Sequence, residues 1–308
     1  MMKLSENQLK MRASSCSIVV TYNPNLEMLL TLVNQIDAST DFILIDNNSF
    51  NLSEFSLSVN SLSRCKLFIS RSSNAGLASA LNFGLQWCIE HGYEFAFLFD
   101  QDSKPEDLFF ENMLDAYLEI ENSQQQKIAA LGPRIVNPQN LKRARFKNFN
   151  SFFRVDNKNF DKFQKHFHAD FIITSGTALR LGHLSEIGLM KESYFIDNID
   201  LEWCFRARRQ GFEIVGTDSA VLYHAIGEQI NSFLVLSGIM VHHNPDRIYY
   251  SSRNRVHLWT MNYAPFGWKI RDICRFLLKI AFLLVFSSNR VAYGKNIICG
   301  LRGVKALN

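Results

Sequence analysis

The stretch Phe97-Leu98-Phe99-Asp100-Gln101-Asp102-Ser103 decides how this chain is read. An apolar run drops into two carboxylates one residue apart. As backbone, it is the end of a buried strand. As chemistry, side-chain direction repeats every two residues in an extended segment, so Asp100 and Asp102 share one side. Two carboxylates facing one way repel each other unless a cation sits between them. A divalent ion with oxygen ligands answers that need, and Mg²⁺ favours one or two carboxylates plus substrate phosphates. An isolated Asp-x-Asp is more often a solvated turn, so the surroundings carry the decision.

Upstream, Cys16 to Tyr22 is a β-branched apolar run that reads as a buried strand, broken by Asn23-Pro24-Asn25. Leu29, Leu30, Val33 and Ile36 then recur at helical spacing. Phe42 to Ile45 is a second strand ending at Asp46-Asn47-Asn48-Ser49, and Leu67 to Ile69 a third. Leu77, Leu81, Leu85 and Ile89 mark a helix that stops at His91-Gly92, and Glu94 to Phe99 is the fourth strand. Strands alternating with helices imply βαβ units and an α/β, doubly wound sheet. Ligands of such sheets sit at the carboxyl ends of the strands. Here those ends carry Thr21-Tyr22-Asn23, Asp46 to Ser49, Arg71 to Asn74, and Asp100-Gln101-Asp102. Asp46 suits a base or ribose, since a carboxylate accepts from N–H and O–H groups.

Several classes are excluded. There is no Gly-x-Gly-x-x-Gly after the first strand and no P-loop, against a dinucleotide oxidoreductase and a P-loop NTPase. The six cysteines are scattered without a Cys-x-x-Cys, which reads as reduced thiols of a cytosolic protein. Met1 to Ser15 has no apolar segment of the secretory kind. The net charge of +4 is uneven: from Pro245 onward eleven Lys and Arg face two Asp, net +9, which leaves −5 on residues 1–244. A basic tail on an acidic body points to an anionic partner.

Residues 137–168 interleave Lys and Arg with Phe. That pattern occurs in single-strand nucleic-acid binders, but an irregular loop packing its Phe residues onto the domain, as a lid over the site, is the preferred reading, with no nucleic-acid partner. Phe171 to Thr174 has strand character and ends at Ser175-Gly176-Thr177, where Gly176 permits close backbone approach. A helix is expected to start near Asp197, with Asp197 as N-cap and Asp200 and Glu202 in the first turns. Capping alone accounts for these acids, and a general base at Asp200 is the functional alternative. Phe212 to Val215 and Ala220 to His224 read as two more strands, and His224 is a candidate third metal ligand.

In their order and spacing, these pieces resemble the inverting family-2 glycosyltransferases of the GT-A fold, and among them the bacterial rhamnosyltransferases. The pieces are Val20-Thr21-Tyr22-Asn23, Ile45 to Ser49, Asn74-Ala75-Gly76 through Gly84, Phe99 to Ser103, and Thr174-Ser175-Gly176. They continue with Ile196 to Arg206, Tyr223 to Gly227 and Tyr249 to Asn254. The resemblance runs from about Ser17 to Trp259.

It implies a Rossmann-like, mostly parallel sheet flanked by helices, with a C-terminal helical extension. The catalytic unit would be residues 1–244 and the extension 245–308. It implies donor contacts from Thr21, Tyr22, Asn23, Asp46, Asn74, Gly76, Asp100, Gln101 and Asp102. Asp100, Asp102 and His224 would hold Mg²⁺ or Mn²⁺ on the donor diphosphate, Asp200 would be the catalytic base, and Ser175, Gly176, Glu202 and Trp203 would meet the acceptor. Ile199 stands where many relatives carry an acid.

The implied reaction is metal-dependent transfer of a sugar, L-rhamnose from dTDP-L-rhamnose. The acceptor would be a polyprenyl-diphosphate-linked saccharide of O-antigen or another surface polysaccharide. A UDP-hexose donor on the same fold, and a non-catalytic nucleotide-sugar-binding scaffold, are the alternatives. Ile273 to Phe286 is too short to span a bilayer, which takes about 20 apolar residues, and Lys279 interrupts it. It reads either as a core helix or as an interfacial helix holding the protein to an anionic membrane surface, the cytoplasmic face of the inner membrane.

Overall fold

The computed structural model describes residues 6–51, 62–123, 127–149, 165–225, 245–287 and 289–307. Helix α1 (Glu6–Ala13) leads into β1 (Ser15–Thr21), α2 (Leu26–Asp37), β2 (Asp41–Asp46), β3 (Cys65–Ser70), α3 (Leu77–Glu90) and β4 (Phe95–Asp100). These match the alternation expected from the sequence. Asn25 caps α2 through its side-chain oxygen, which accepts from the Met28 N–H. Then come β5 (Lys104–Pro105), α4 (Phe109–Ser123), β6 (Ile128–Val136), β7 (His166–His168), β8 (Ala178–Arg180), α5 (Leu184–Ile187), α6 (Ile199–Arg209) and β9 (Glu213–Tyr223). Three helices follow: α7 (Pro245–Thr260), α8 (Phe266–Phe286) and α9 (Arg290–Gly303).

The sheet order is β3-β2-β1-β4-β8-β6-β9-β5, with β7 also on β9. The first four strands are parallel, β8 runs antiparallel between β4 and β6, and β6 and β9 are parallel. The fold is α/β with a mostly parallel sheet flanked by helices, as expected. Register sets the ligand edge: Val20 lies opposite Asp100, Thr21 opposite Asp46, and Asp46 opposite Ser70.

Alternation along each strand divides the core into two layers. Ile18 and Val20 face Leu81 and Leu85 of α3 and Trp203 of α6, whereas Val19 faces the layer holding Leu29 of α2 and Phe109 of α4. Phe97 and Phe99 point into that second layer and meet Phe109 and Phe110 edge-on or tilted. Burial of each such ring stabilises by about 1.5–3 kcal/mol.

Three local expectations are corrected. Phe171 to Thr174 is not a strand: Phe171 makes one isolated bridge to Lys147, and the strand lies at Ala178–Arg180. The two strands expected around Phe212–Val215 and Ala220–His224 are one, Glu213–Tyr223. Its polar middle is no turn, because Asp218 pairs with the buried Arg134 of β6. Helix α6 begins at Ile199, with Asn198 in the cap position at φ +60, while Asp197 is taken up by an ion pair with Arg247.

The C-terminal helices pack directly on the body. Leu258, Ala264 and Trp268 cluster with Phe149 and with Leu201 and Phe205 of α6. Ile248, Phe276, Leu283, Tyr293 and Ile297 join α7, α8 and α9. Helix α8 buries Trp268, Phe276, Lys279 and Leu283 against the body, as the core-helix reading expects, and leaves Leu277, Leu278, Leu284 and Val285 exposed. Most of the basic–aromatic loop, residues 150–164, lies outside the described residues.

Candidate functional site

The strand ends open into a cleft of about 930 Å³. One end of it is built by β4, β5 and β9. The pairing of Lys104 with Tyr223 lays the Asp102 turn beside the residue that follows β9, His224. His224 is fixed at its backbone by the Val136 carbonyl, 3.0 Å away. Its Nε2 is 3.5 Å from Asp100 Oδ2 and its Nδ1 is 3.3 Å from Asp102 Oδ1. One ligand atom from each of the three residues lies within 4.8 Å of the others. Asp100 is held from behind by the Ser175 hydroxyl.

The charges of this trio are coupled. Burial works against a charged Asp102, yet the neighbouring His224 outweighs it and holds the carboxyl below its usual value. Burial also works against a charged His224, and Asp102 and Asp100 outweigh it and push its pKa up. The buried His224 Nδ1 has no well-aligned hydrogen bond among the described residues. Two carboxylates and an imidazole left in that state fit a divalent cation as the missing partner.

Asp200 sits on the cleft floor in the first turn of α6. Its Oδ1 accepts from the Leu201 N–H at 2.8 Å. Burial pushes its pKa up to about 7, helped by Asp100 and Asp197 and opposed by the Leu201 N–H and Lys147. A carboxylate poised near neutrality is suited to general-base work. The approach to Asp200 is strained: Phe195, Asp197 and Asn198 have φ of 62, 65 and 60°. Such non-glycine residues cost on the order of 1–3 kcal/mol each. Asn254 of α7 compensates, its buried Nδ2 lying 2.8, 2.8 and 3.0 Å from the carbonyls of Tyr194, Ile196 and Asp197. Gly76 packs under this loop at φ +89, where a Cβ would come within 2.6 Å of the Phe195 ring.

The chain is similar along its whole length to the dTDP-rhamnosyl transferase RfbF of Shigella flexneri, with 27% identity over 301 residues, 96% of this chain and 97% of that one. The chain is similar to this rhamnosyltransferase and has the GT-A fold. Solved structures agree on the fold. TarS 1-349 of S. aureus in complex with UDP-GlcNAc superposes with a TM-score of 0.57 at 13% identity, over 95% of this chain and 83% of that one. GalNAc-T7 with UDP, GalNAc and Mn²⁺ gives 0.55 at 14%, over 92% of this chain, which spans 59% of that longer one. No protein-family model matches the chain. The fold drawn from the sequence is borne out, and the resemblance to rhamnosyltransferases agrees with the similarity to RfbF.

Of the residues singled out from the sequence, Thr21, Tyr22, Asn74, Gly76, Asp100, Gln101, Asp102, Ser175, Asp200 and His224 line this cleft together. Gln101 clamps the Tyr22 backbone, accepting from its N–H at 2.7 Å and donating to its carbonyl at 3.2 Å. Others are placed differently. Asp46 is fully covered and accepts from Thr21, Ser49 and Ser70, so it holds the loops rather than facing the cleft. Asn23 braces the same loops, taking the Phe50 N–H at 3.2 Å. Gly176 turns at φ +74 against Leu222 and Pro133 and so presents Ser175.

The acceptor expectation is corrected for Glu202 and Trp203. Glu202 is 1% exposed and accepts from Arg206 at 2.9 Å and from Tyr263 at 2.7 Å. Trp203 is buried and donates to the Gly188 carbonyl. Both face the packing side of α6. The cleft also takes in Lys147, Arg247, Arg255, Asp272, Arg275 and Lys279. Lys147 stood inside the basic–aromatic loop pattern, and the rest lie on α7 and α8, whose return to the cleft no local pattern announces.

Proposed function

We propose that this chain is an inverting, metal-dependent glycosyltransferase that moves L-rhamnose from dTDP-L-rhamnose to a lipid-linked saccharide acceptor of a surface polysaccharide such as O-antigen. The observation that carries it is the meeting of the Asp100–Asp102–His224 trio and Asp200 in one cleft at the strand ends. The full-length similarity to RfbF supports the rhamnose donor and the polysaccharide setting.

Asp100, Asp102 and His224 would hold Mg²⁺ or Mn²⁺, which offsets the charge of a nucleoside diphosphate. Tyr22, Asn74 and Gly76 border the space for the nucleoside, and Gln101 fixes the Tyr22 backbone that faces it. Asp200 accepts the proton of the acceptor hydroxyl as that oxygen attacks the anomeric carbon. One displacement inverts the configuration, so no side chain of the chain bonds to the sugar. Lys147 favours the charged Asp200, and burial keeps it basic enough to hold the proton.

The exposed stripe of α8 supports peripheral attachment to an anionic membrane surface. Leu277, Leu278, Val285 and Phe286 are 60–74% exposed, and Lys295 and Arg302 stand on the neighbouring α9. No described helix is long and apolar enough to cross a membrane. Sedimentation with anionic but not with neutral vesicles is the expected result; no sedimentation with either excludes attachment.

The test of the function is release of dTDP from dTDP-L-rhamnose, with Mn²⁺ and a polyprenyl-diphosphate-linked sugar fraction. Release dependent on both components is expected. Turnover of UDP-hexoses in its place would move the donor, and no turnover of any nucleotide sugar would point to a binding scaffold.

A further inference from the structure

The cleft has a second charged region that the metal trio does not explain. Asp200 is within electrostatic reach of Asp100 and also of Lys147. Lys147 in turn interacts with Arg275 and Asp272 of α8. Two cations of this region are matched: Arg247 pairs with Asp197 at 2.7 Å and Arg255 lies 3.0 Å from Asp272. Lys147, Arg275 and Lys279 line the same cleft, and none of their side chains has an ion pair or hydrogen bond among the described residues, although the Lys147 Nζ lies 5.1 Å over the Phe171 ring.

Lys279 is the telling one. It is 9% exposed, one helical turn from Arg275 on α8. A buried ammonium without a partner is costly, and such groups stay in clefts where an anion completes them. Burial, then the nearby Arg255 and Arg247, bring its pKa down to about 8 against the pull of Asp197 and Asp272. Lys147 is open to the cleft yet hemmed in by its walls, which lower its pKa as well. Two point charges and one planar fork lining one cleft suit phosphate oxygens.

We propose that Lys147, Arg275 and Lys279 form a second anion subsite, for a phosphate or diphosphate group on the acceptor, separate from the Asp100–Asp102–His224 centre. The proposal rests on reading Asp200 as the base. In an in-line displacement the acceptor enters opposite the departing diphosphate, so its own phosphates belong on the side of Asp200 away from the trio; Lys147 is the neighbour of Asp200, and Arg275 the neighbour of Lys147. Helix α8 then serves two purposes. Its inner face offers Arg275 and Lys279, and its outer stripe of Leu277, Leu278, Leu284 and Val285 is apolar, as an acceptor with a lipid tail requires.

Calorimetric titration with farnesyl diphosphate and with inorganic pyrophosphate, both in EDTA, tests it. The full chain should bind farnesyl diphosphate without metal. The double variant Arg275→Gln/Lys279→Met should lose tenfold or more in affinity, while Asp102→Asn binds as the parent does. Preference for farnesyl diphosphate assigns the subsite to a lipid-linked group, and equal affinity for pyrophosphate assigns it to the phosphates alone. No metal-independent binding, or binding lost in Asp102→Asn and kept in the double variant, overturns the subsite. Titration of the same preparations with dTDP and Mn²⁺ separates the two ideas. Retained dTDP binding confines a failure to the subsite, and absent dTDP binding places it in the glycosyltransferase reading.

Discussion

Replacing Lys279 with Met should make the protein more stable at neutral pH. Lys279 is nine-tenths buried and its pKa falls from an ordinary 10.5 to about 8. Each pKa unit is about 1.36 kcal/mol, so at pH 7 the folded state bears a penalty of about 3 kcal/mol for keeping this charge. The sign follows from proton counts. Between pH 8 and 10.5 the unfolded chain holds the proton more tightly than the folded one, so native stability rises with pH across that window. At pH 10 the remaining penalty is about 0.8 kcal/mol. Met has a similar length and no charge, so Lys279→Met removes the penalty without opening a cavity. Urea unfolding of both proteins at pH 7 and pH 10, read as the midpoint at equal slope, measures the difference. The gain should be about 3 kcal/mol at pH 7 and under about 1 kcal/mol at pH 10. An unchanged or lowered midpoint at pH 7 would refute the reasoning, because it would mean that Lys279 already has a counter-charge in the folded state.

Two further outcomes are expected. Asp200→Asn should bind dTDP with Mn²⁺ as the parent does and lose about 10²–10⁴-fold in turnover. In the parent, kcat/KM should rise with pH through a midpoint near the Asp200 pKa of about 7 and level off above it, since the base must be unprotonated. A flat profile from pH 5 to 9, with turnover intact in the variant, would remove Asp200 from that role. Glu202→Ala should cost about 1.5–3 kcal/mol, because it removes the buried carboxylate that accepts from the half-buried Arg206 and Tyr263. Thermal melting reads this directly, and a melting temperature within one degree of the parent would refute the structural role given to Glu202.

The parallel half of the sheet and the trio were legible in the sequence because their signals are local. Each strand end is announced by an apolar run meeting polar residues, and register then brings Thr21, Asp46 and Asp100 to one edge. Direction was harder than position. Asp46 and Glu202 carry the right chemistry, but their carboxylates turn inward to Ser49 and Ser70, and to Arg206 and Tyr263. No periodicity distinguishes an inward acid from a cleft-facing one in the first turns of a helix. The strand at Ala178–Arg180 was hidden because its partners, β4 and β6, lie far off in sequence, while the more apolar Phe171 to Thr174 imitates a strand. The same holds for α8: Lys279 reads as an interruption of an apolar run, and only its packing beside Arg255 and Asp197 shows that it faces the cleft.

The most direct measurement of the central claim is calorimetric titration of the parent and of Asp102→Asn with dTDP, with and without Mn²⁺. The Asp100–Asp102–His224 trio predicts tight binding only when Mn²⁺ is present, and loss of that dependence in the variant. Binding of dTDP that is indifferent to the metal, or no binding in either condition, would contradict a metal-dependent transfer site in this cleft.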